Sequence, residues 1–180
     1  MTTETWNIDA SHSSIHFSIR HLVIAKVRGQ FSRWSGAFTV EGTDFTTAQV
    51  SATIDAASIE TGVADRDKHL KSPDFFDVAT FPEITFKSTR VEGTSKEHWK
   101  LIGDLTIHGV TREIILQVEH SGGTKDPWGN QRLGFAAKTS IERKEFGLTW
   151  NQVLEAGGVM VGDRVDIEID LEAVHQAAKA

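Results

Sequence analysis

The chain has 180 residues, 39% hydrophobic content, a formal net charge of −6 and no cysteine. That length suits one domain with a substantial core. The acidic balance argues against a nucleic-acid partner, whose phosphates need clustered Lys and Arg, and the missing thiols exclude disulfides, zinc-thiolate sites and thiol nucleophiles. Lys and Arg are scattered in ones and twos, so no basic footprint for an anionic lipid surface is expected either. The opening Met1-Thr-Thr-Glu-Thr-Trp6 has no basic segment followed by an apolar run, so the expectation for the chain as written is a cytoplasmic location. No stretch approaches the roughly 18 apolar residues of a membrane span.

Period-two alternation, the signature of half-buried strands, begins with Ile15, Phe17 and Ile19 against His16, Ser18 and Arg20. The next strand reads from Val27 to Val40. Phe31 and Trp34 there have opposite parity, which requires either a bulge between them or side chains on opposite faces. After turn chemistry at Glu41-Gly42-Thr43-Asp44, Ala48, Val50, Ala52 and Ile54 alternate with Gln49, Ser51, Thr53 and Asp55. The pattern stops between Ser58 and Thr80. Val63 or Ala64 to Lys71 is rich in helix formers, and Ser72-Pro73-Asp74 reads as a second helix start with Ser72 as N-cap. Phe75 and Phe76 follow at once, and two adjacent phenylalanines on a helical insertion need a burial place, which the open end of a barrel supplies.

Alternation resumes over Ile84–Ser88, Trp99–Ile107, Ile114–Val118 and Leu133–Ile141, with Ile115 the one apolar residue of outer parity in its strand. It is most regular at Val165, Ile167, Ile169 and Leu171, set against Asp166, Glu168, Asp170 and Glu172. Turn chemistry separates these segments at Glu92-Gly93, His108-Gly109 and Ser121-Gly122-Gly123. Polar-out, apolar-in strands with short connections favour an up-and-down barrel or a sandwich, and a barrel removes exposed edges. The expectation is an all-β fold: about eight antiparallel strands forming a barrel, one domain over residues 1–180, with a short helical insertion near residues 63–78.

Bulky inward candidates (Phe17, Ile19, Phe31, Ile84, Phe86, Leu101, Leu105, Ile107 and Phe135) are interspersed with Ala48, Ala52, Gly103 and Ala137. Eight strands is the size at which side chains fill a barrel or leave room for one ligand. Two interiors satisfy the pattern: small residues open an apolar tunnel, or they offset large ones across a solid core. His12 and His16 have a helical chelating spacing, but at a strand start four residues span roughly 13 Å. Asp9 is the only acid close by in sequence, so no metal is expected. His98, His108, His120 and His175 fall in turns, at strand ends or in the tail and read as solvated, and the residues after Val174 read as a frayed end.

Asp65-Arg66-Asp67-Lys68-His69 is the densest polar cluster and has three readings. It is a solvated first turn of a helix with acids at the positive end, or a head-group contact at a barrel mouth through Arg66 or His69, or an acid–base pair, Asp67 and His69, of a hydrolase or lyase on an apolar substrate. No GxSxG, P-loop or GxGxxG motif occurs, so an enzyme is not expected. A ligand-free structural or stress-response module is the remaining alternative.

In chain order, Trp6-x-Ile8-Asp9-x-x-His12-Ser13-x-Ile15-x-Phe17 with His21, Val27-x-Gly29-x-Phe31 and Gly36-x-Phe38 resemble the opening of the YceI-like family of polyisoprenoid-binding proteins. The resemblance continues through Ser58-Ile59-x-Thr61-Gly62, Arg66-Asp67-x-His69-Leu70, Phe75-Phe76-Asp77 and Phe81-Pro82-x-Ile84-x-Phe86. Gly103-Asp104-Leu105-Thr106-Ile107-His108-Gly109-Val110-Thr111, Arg143-x-x-Phe146-Gly147 and Val161-Gly162-Asp163-x-Val165 complete it. The resemblance implies a lipocalin-like antiparallel barrel whose apolar interior holds a polyisoprenoid-type lipid, quinone-like or prenyl-phosphate, for carriage or storage. The implied lining is Phe17, Ile19, Phe31, Leu70, Phe75, Phe76, Phe86, Leu105, Ile107, Phe135 and Phe146, with Arg66, Asp67 and His69 at the mouth or on the head group. No cofactor, metal or nucleic acid is implied; an exposed strand face or lid leaves a homodimer open.

Overall fold

The computed structural model describes residues 2–93, 95–155 and 157–177. Its strands are β1 (Thr3–Ile8), β2 (Ser14–His21), β3 (Ala25–Phe31), β4 (Trp34–Glu41), β5 (Asp44–Asp55), β6 (Ile59–Glu60), β7 (Glu83–Gly93), β8 (His98–Ile107), β9 (Val110–Lys125), β10 (Gln131–Glu142) and β11 (Val161–Gln176). One α-helix, α1 (Ala64–Lys71), interrupts them.

Register explains how eleven segments make an eight-stranded barrel. β1 and β2 both pair with β11 on one side, and with β4 and β3 respectively on the other. β5 and β6 in turn pair with β4 and β3. Each of these three couples is one strand path broken midway: at the 3-10 turn Ala10–His12, at Ser32-Arg33, and at the 3-10 turn Ala56–Ser58. The remaining pairings run β5 to β7 and then in order through β11, which closes the ring on β1 and β2. Apart from this closure, spatial neighbours are sequence neighbours, the up-and-down topology that removes long free edges; among the described residues, the two-residue β6 is paired on its β3 side alone.

The breaks have local causes. Asp9 and Asp55 each cap their 3-10 turn by accepting a hydrogen bond from the backbone N–H two residues on, Ser11 at 3.1 Å and Ala57 at 3.0 Å. The breaks also lie side by side: Ser32 N–H donates to the Ser58 carbonyl at 3.2 Å and Asp55 N–H to the Arg33 carbonyl at 3.0 Å. The Ser32-Arg33 break resolves the parity conflict, because Phe31 and Trp34 both face the interior.

Four sequence expectations change, the simplest at Glu92-Gly93, which is not a turn but the end of β7, paired with Lys100 and Trp99. β1 carries too short an alternation to stand out, yet Trp6 is buried against Phe38 and its strand completes the ring. Ser121-Gly122-Gly123 is not a turn: β9 runs through it, with a register shift at Gly134/Phe135 that Gly122 accommodates at φ 124°. The turn lies at 126–130, organised by Asp126, whose carboxylate accepts from the Trp128 and Asn130 N–H groups. His175 and Gln176 belong to β11 rather than to a frayed end, and His175 pairs with Glu4; Ala178, Lys179 and Ala180 lie outside the described residues. By contrast, His108-Gly109 forms the expected hairpin turn, both residues at positive φ (54° and 72°) as a two-residue connection demands.

The insertion over 58–82 holds α1 but no second helix. Phe76 and Val78 N–H groups donate back to the Leu70 and Lys71 carbonyls, and Asp77 N–H to that of Ser72. These bonds satisfy the exposed carbonyls at the end of α1 and commit the chain to a tight return before a new helix can propagate. Ser72 accordingly ends α1, its hydroxyl donating to the His69 carbonyl at 2.6 Å.

Candidate functional site

The barrel is hollow. A cavity of about 380 Å³ runs through its interior, inside the range of roughly 300–1,000 Å³ typical of ligand pockets. Along β11 the lining extends from Val161 to Leu171, ten steps of about 3.3 Å along the strand. The walls are apolar: Ile15, Phe17 and Ile19 from β2, Ala52 and Ile54 from β5, Leu105 and Ile107 from β8, Ala137 and Ile141 from β10, and Val165, Ile167 and Ile169 from β11. Small residues do two different jobs. Ala48, Ala52 and Ala137 border the void, whereas Gly103 does not: a Cβ there would lie 2.6 Å from the Phe86 ring, so its missing side chain seats that ring in the wall.

One end is plugged by aromatic rings. Phe45 packs on Trp99 (5.2 Å) and edge-on to Phe135 (5.8 Å), and Phe38 meets Phe135 at 90°. Edge-to-face contacts of this kind contribute about 0.5–1.5 kcal/mol each beyond burial. His120 sits in this cluster, 5.1 Å from the Phe135 ring, with its Nε2 buried and unpartnered. It is therefore not the solvated histidine the sequence suggested; register against β10 at Phe135 brings it there.

The other end carries the insertion. Phe76 meets Phe31 edge-on at 6.0 Å, and Phe31 touches Phe17 at 5.7 Å, tying the lid to the β2–β3 wall. His69, Phe75 and Trp150 form a ring triad with centroids 4.7–5.3 Å apart. Arg66, His69, Trp150, His21 and Met160 line the cavity while remaining partly exposed, and so mark its mouth.

Of the sequence-expected lining, Phe17, Ile19, Phe31, Leu70, Phe75, Phe76, Phe86, Leu105, Ile107 and Phe135 border the void. Phe146 does not. It is 1% exposed in the 3-10 turn Arg143–Phe146, where it packs into the core outside the cavity. Among the mouth residues, Arg66 lines the void, and its guanidinium donates to the Thr61 hydroxyl and carbonyl, both at 2.7 Å. Asp67 turns away from the void, accepting from Thr61 N–H (2.9 Å) and its hydroxyl. His69 pairs with Asp74 at 2.9 Å rather than with Asp67, so the Asp67–His69 acid–base couple, the last of the three readings of this segment, is not assembled.

Sequence reasoning missed Trp150 and Arg143. Trp150 lies on a loop with no periodicity to reveal it. Arg143 is 2% exposed and donates to the backbone carbonyls of Leu148 (2.6 Å), Trp150 (2.9 Å) and Gly162 (2.7 Å). Burial pushes its pKa down, partly offset by Asp163. It pins the loop that presents Trp150.

The closing strand also assembles a polar cluster invisible in sequence. Asp9, His12 and Glu172 come within ligand distance of one another, although only Asp9 neighbours His12 along the chain. Arg132 already supplies a cation there, with Nη1 donating to Asp9 (2.9 Å) and Glu172 (2.7 Å) and Nε to Asp126 (2.8 Å). Hydrogen bonds from Ser11, His12 and Arg132 hold the Asp9 carboxyl well below the usual range, and those from Arg132 and the turn lower that of Asp126.

Residues 6–173 match the YceI-like domain. A UPF0312 protein of Staphylococcus aureus (strain USA300) is 40% identical over 168 residues, covering 93% of this chain and 95% of its own. Two solved structures share the fold: BcnA of Burkholderia cenocepacia (TM-score 0.80, 21% identity, covering 92% of this chain and 98% of that one) and a polyisoprenoid binding domain from Saccharophagus degradans (TM-score 0.70, 16% identity, 95% and 98%). A closed barrel of this topology and a domain match over nearly its whole length place the chain in the YceI-like family.

Proposed function

We propose that the protein binds one polyisoprenoid-type lipid, quinone-like or prenyl-phosphate, in the barrel interior and serves as its carrier or store. The carrying observation is the cavity itself: apolar along its walls, plugged by aromatics at one end and fringed by Arg66, His69 and Trp150 at the other. A hydrocarbon tail suits the walls, and a polar head group suits the fringe. The Saccharophagus degradans neighbour, described as a polyisoprenoid binding domain, supports the same reading.

At about 30 Å³ per water-sized group in a liquid, the void of about 380 Å³ takes on the order of 13 methylene-sized groups. At roughly 0.8 kcal/mol each, their burial contributes about 10 kcal/mol, inside the practical affinity ceiling of about 18–21 kcal/mol. Ordering a flexible tail opposes much of that, so selectivity among chain lengths is soft. A ligand-free module is disfavoured by the void, and a hydrolase or lyase by the engagement of Asp67 with Thr61.

Native mass spectrometry of protein purified from its natural host tests the reading. A retained mass that extracts into organic solvent and fragments in isoprene steps is expected; an apo mass alone, from protein that also fails to take up added prenyl alcohol, overturns it. His69→Ala should retain lipid binding, and loss of a turnover by that variant would favour an enzyme instead.

A further inference from the structure

The end of the barrel that bears the mouth also bears an apolar projection. At the β2–β3 turn, Val23 is 68% and Ile24 85% exposed. The turn is tied by Leu22 N–H to the Met160 carbonyl, at 2.9 Å, of a second loop whose Val153 is 79% exposed. Leu22 and Val23 both sit at positive φ (54° and 65°), a conformation Gly or Asn adopts freely and a β-branched residue only with strain. A turn shaped for stability alone would not place valine there; strain of this kind marks a functional constraint.

Register also overturns the sequence impression of scattered cations. Arg20 lies directly opposite Lys26, and Arg28 follows on the same face opposite Ser18, all three exposed. Residues 18–28 carry these three cations and no acid in a chain whose net charge is −6. The adjacent Asp166 of β11 is paired with Arg164 at 2.9 Å and also lies in the field of Lys26, and Glu155 is the single acid of loop 151–160, so the tip remains net cationic. On the opposite face of the same hairpin Phe17, Ile19 and Val27 line the cavity, and Arg20 borders its mouth as well.

An apolar tip with a cationic collar, continuous with the mouth of an apolar cavity, matches the chemistry of an anionic bilayer: hydrocarbon beneath a negative head-group layer. We infer that the β2–β3 tip and the Val153 loop dock on an anionic phospholipid surface, presenting the mouth to the bilayer for lipid exchange. This rests on the interior being a lipid site.

Vesicle flotation with phosphatidylcholine, with and without phosphatidylglycerol, tests it, with uptake of N-phenyl-1-naphthylamine as the separate readout of the cavity. The intact protein should float with the anionic vesicles and not with the neutral ones. Val23→Asp combined with Ile24→Asp should abolish flotation. Lys26→Gln combined with Arg28→Gln should weaken it on the order of 25-fold, since each Lys or Arg near an anionic surface contributes about fivefold. Both pairs should take up the dye normally. Intact protein that binds dye but floats with neither vesicle overturns the docking and leaves the cavity reading standing; protein that binds no dye overturns the cavity reading. Variants that float like the parent, or an aspartate pair that converts a dimer to monomers in sedimentation, also overturn the docking, the latter by identifying a second copy as the occupant.

Discussion

Filling the cavity from its wall should separate binding from stability. Ala137 of β10 borders the void between Val118 and Ile169, its cross-strand partners. Ala137→Phe adds six ring carbons to the interior without touching the mouth. If the tail withdraws by six methylene-sized groups, it loses about 5 kcal/mol at roughly 0.8 kcal/mol each, more than three powers of ten in affinity. A tail that bends aside loses less, and a hundredfold weakening is the expected minimum. Stability should respond differently, because filling a dry void recovers packing at roughly 24 cal/mol per Å³. The assay is thermal unfolding with and without a saturating prenyl alcohol. At a ligand concentration about 100 times Kd the parent gains about 2.7 kcal/mol, or roughly 5–10 °C at this size. The variant should unfold at or above the parent's ligand-free temperature and barely respond to ligand. Overpacking can destabilise instead, so Ala52→Phe on β5 serves as a second plug. Two folded plugs that bind with undiminished affinity would refute the placement of the tail.

Three further outcomes follow from the same geometry. Phe146→Ala, at a buried position outside the cavity, should cost about 3–5 kcal/mol of stability while leaving ligand affinity of the folded fraction unchanged, measured by chemical denaturation and titration. Arg66→Ala should weaken a prenyl phosphate about tenfold or more relative to the matching alcohol, the scale of one charge-assisted hydrogen bond; equal losses for both would assign Arg66 to holding Thr61 alone. For Asp9 and Asp126 the folded pKa lies below the unfolded value of about 3.9. Their contribution is therefore complete above the ordinary carboxylate range and is lost as pH falls through the folded values. Arg132→Gln should then lower the melting temperature most near neutrality, with the gap from the parent closing below about pH 4; a gap that widens in acid would contradict the assignment.

The strand class, the hairpin at His108-Gly109 and most of the lining were legible because period-two alternation is a direct record of which face is buried. Two kinds of feature were not. One depends on contacts between distant segments: Glu172 and Arg132 meeting Asp9, and His120 entering the aromatic plug. No local window contains such pairs. The other depends on volume. Gly103 and Ala137 are both small residues on an inward parity, yet one seats the Phe86 ring and the other borders empty space. That difference is set by the neighbour across the ladder, which side-chain size alone does not encode. The Asp67–His69 pairing failed for a simpler reason: two residues two apart on a helix point in different directions, and each found a nearer partner.

The aligned interruptions of β1/β2, β3/β4 and β5/β6 give the wall a mechanical asymmetry. Five of the eight staves are continuous ladders, while three neighbouring ones share a crease spanned by scattered bonds, among them Asp9 N–H to the Glu172 carbonyl, Glu172 N–H to the Ser13 hydroxyl and Ser32 N–H to the Ser58 carbonyl. Backbone amides flanking a break in a ladder are protected by fewer neighbours, so those of residues 9–13, 32–33 and 56–58 should exchange with deuterium sooner than those of β8 and β10, a difference that hydrogen-exchange mass spectrometry reads.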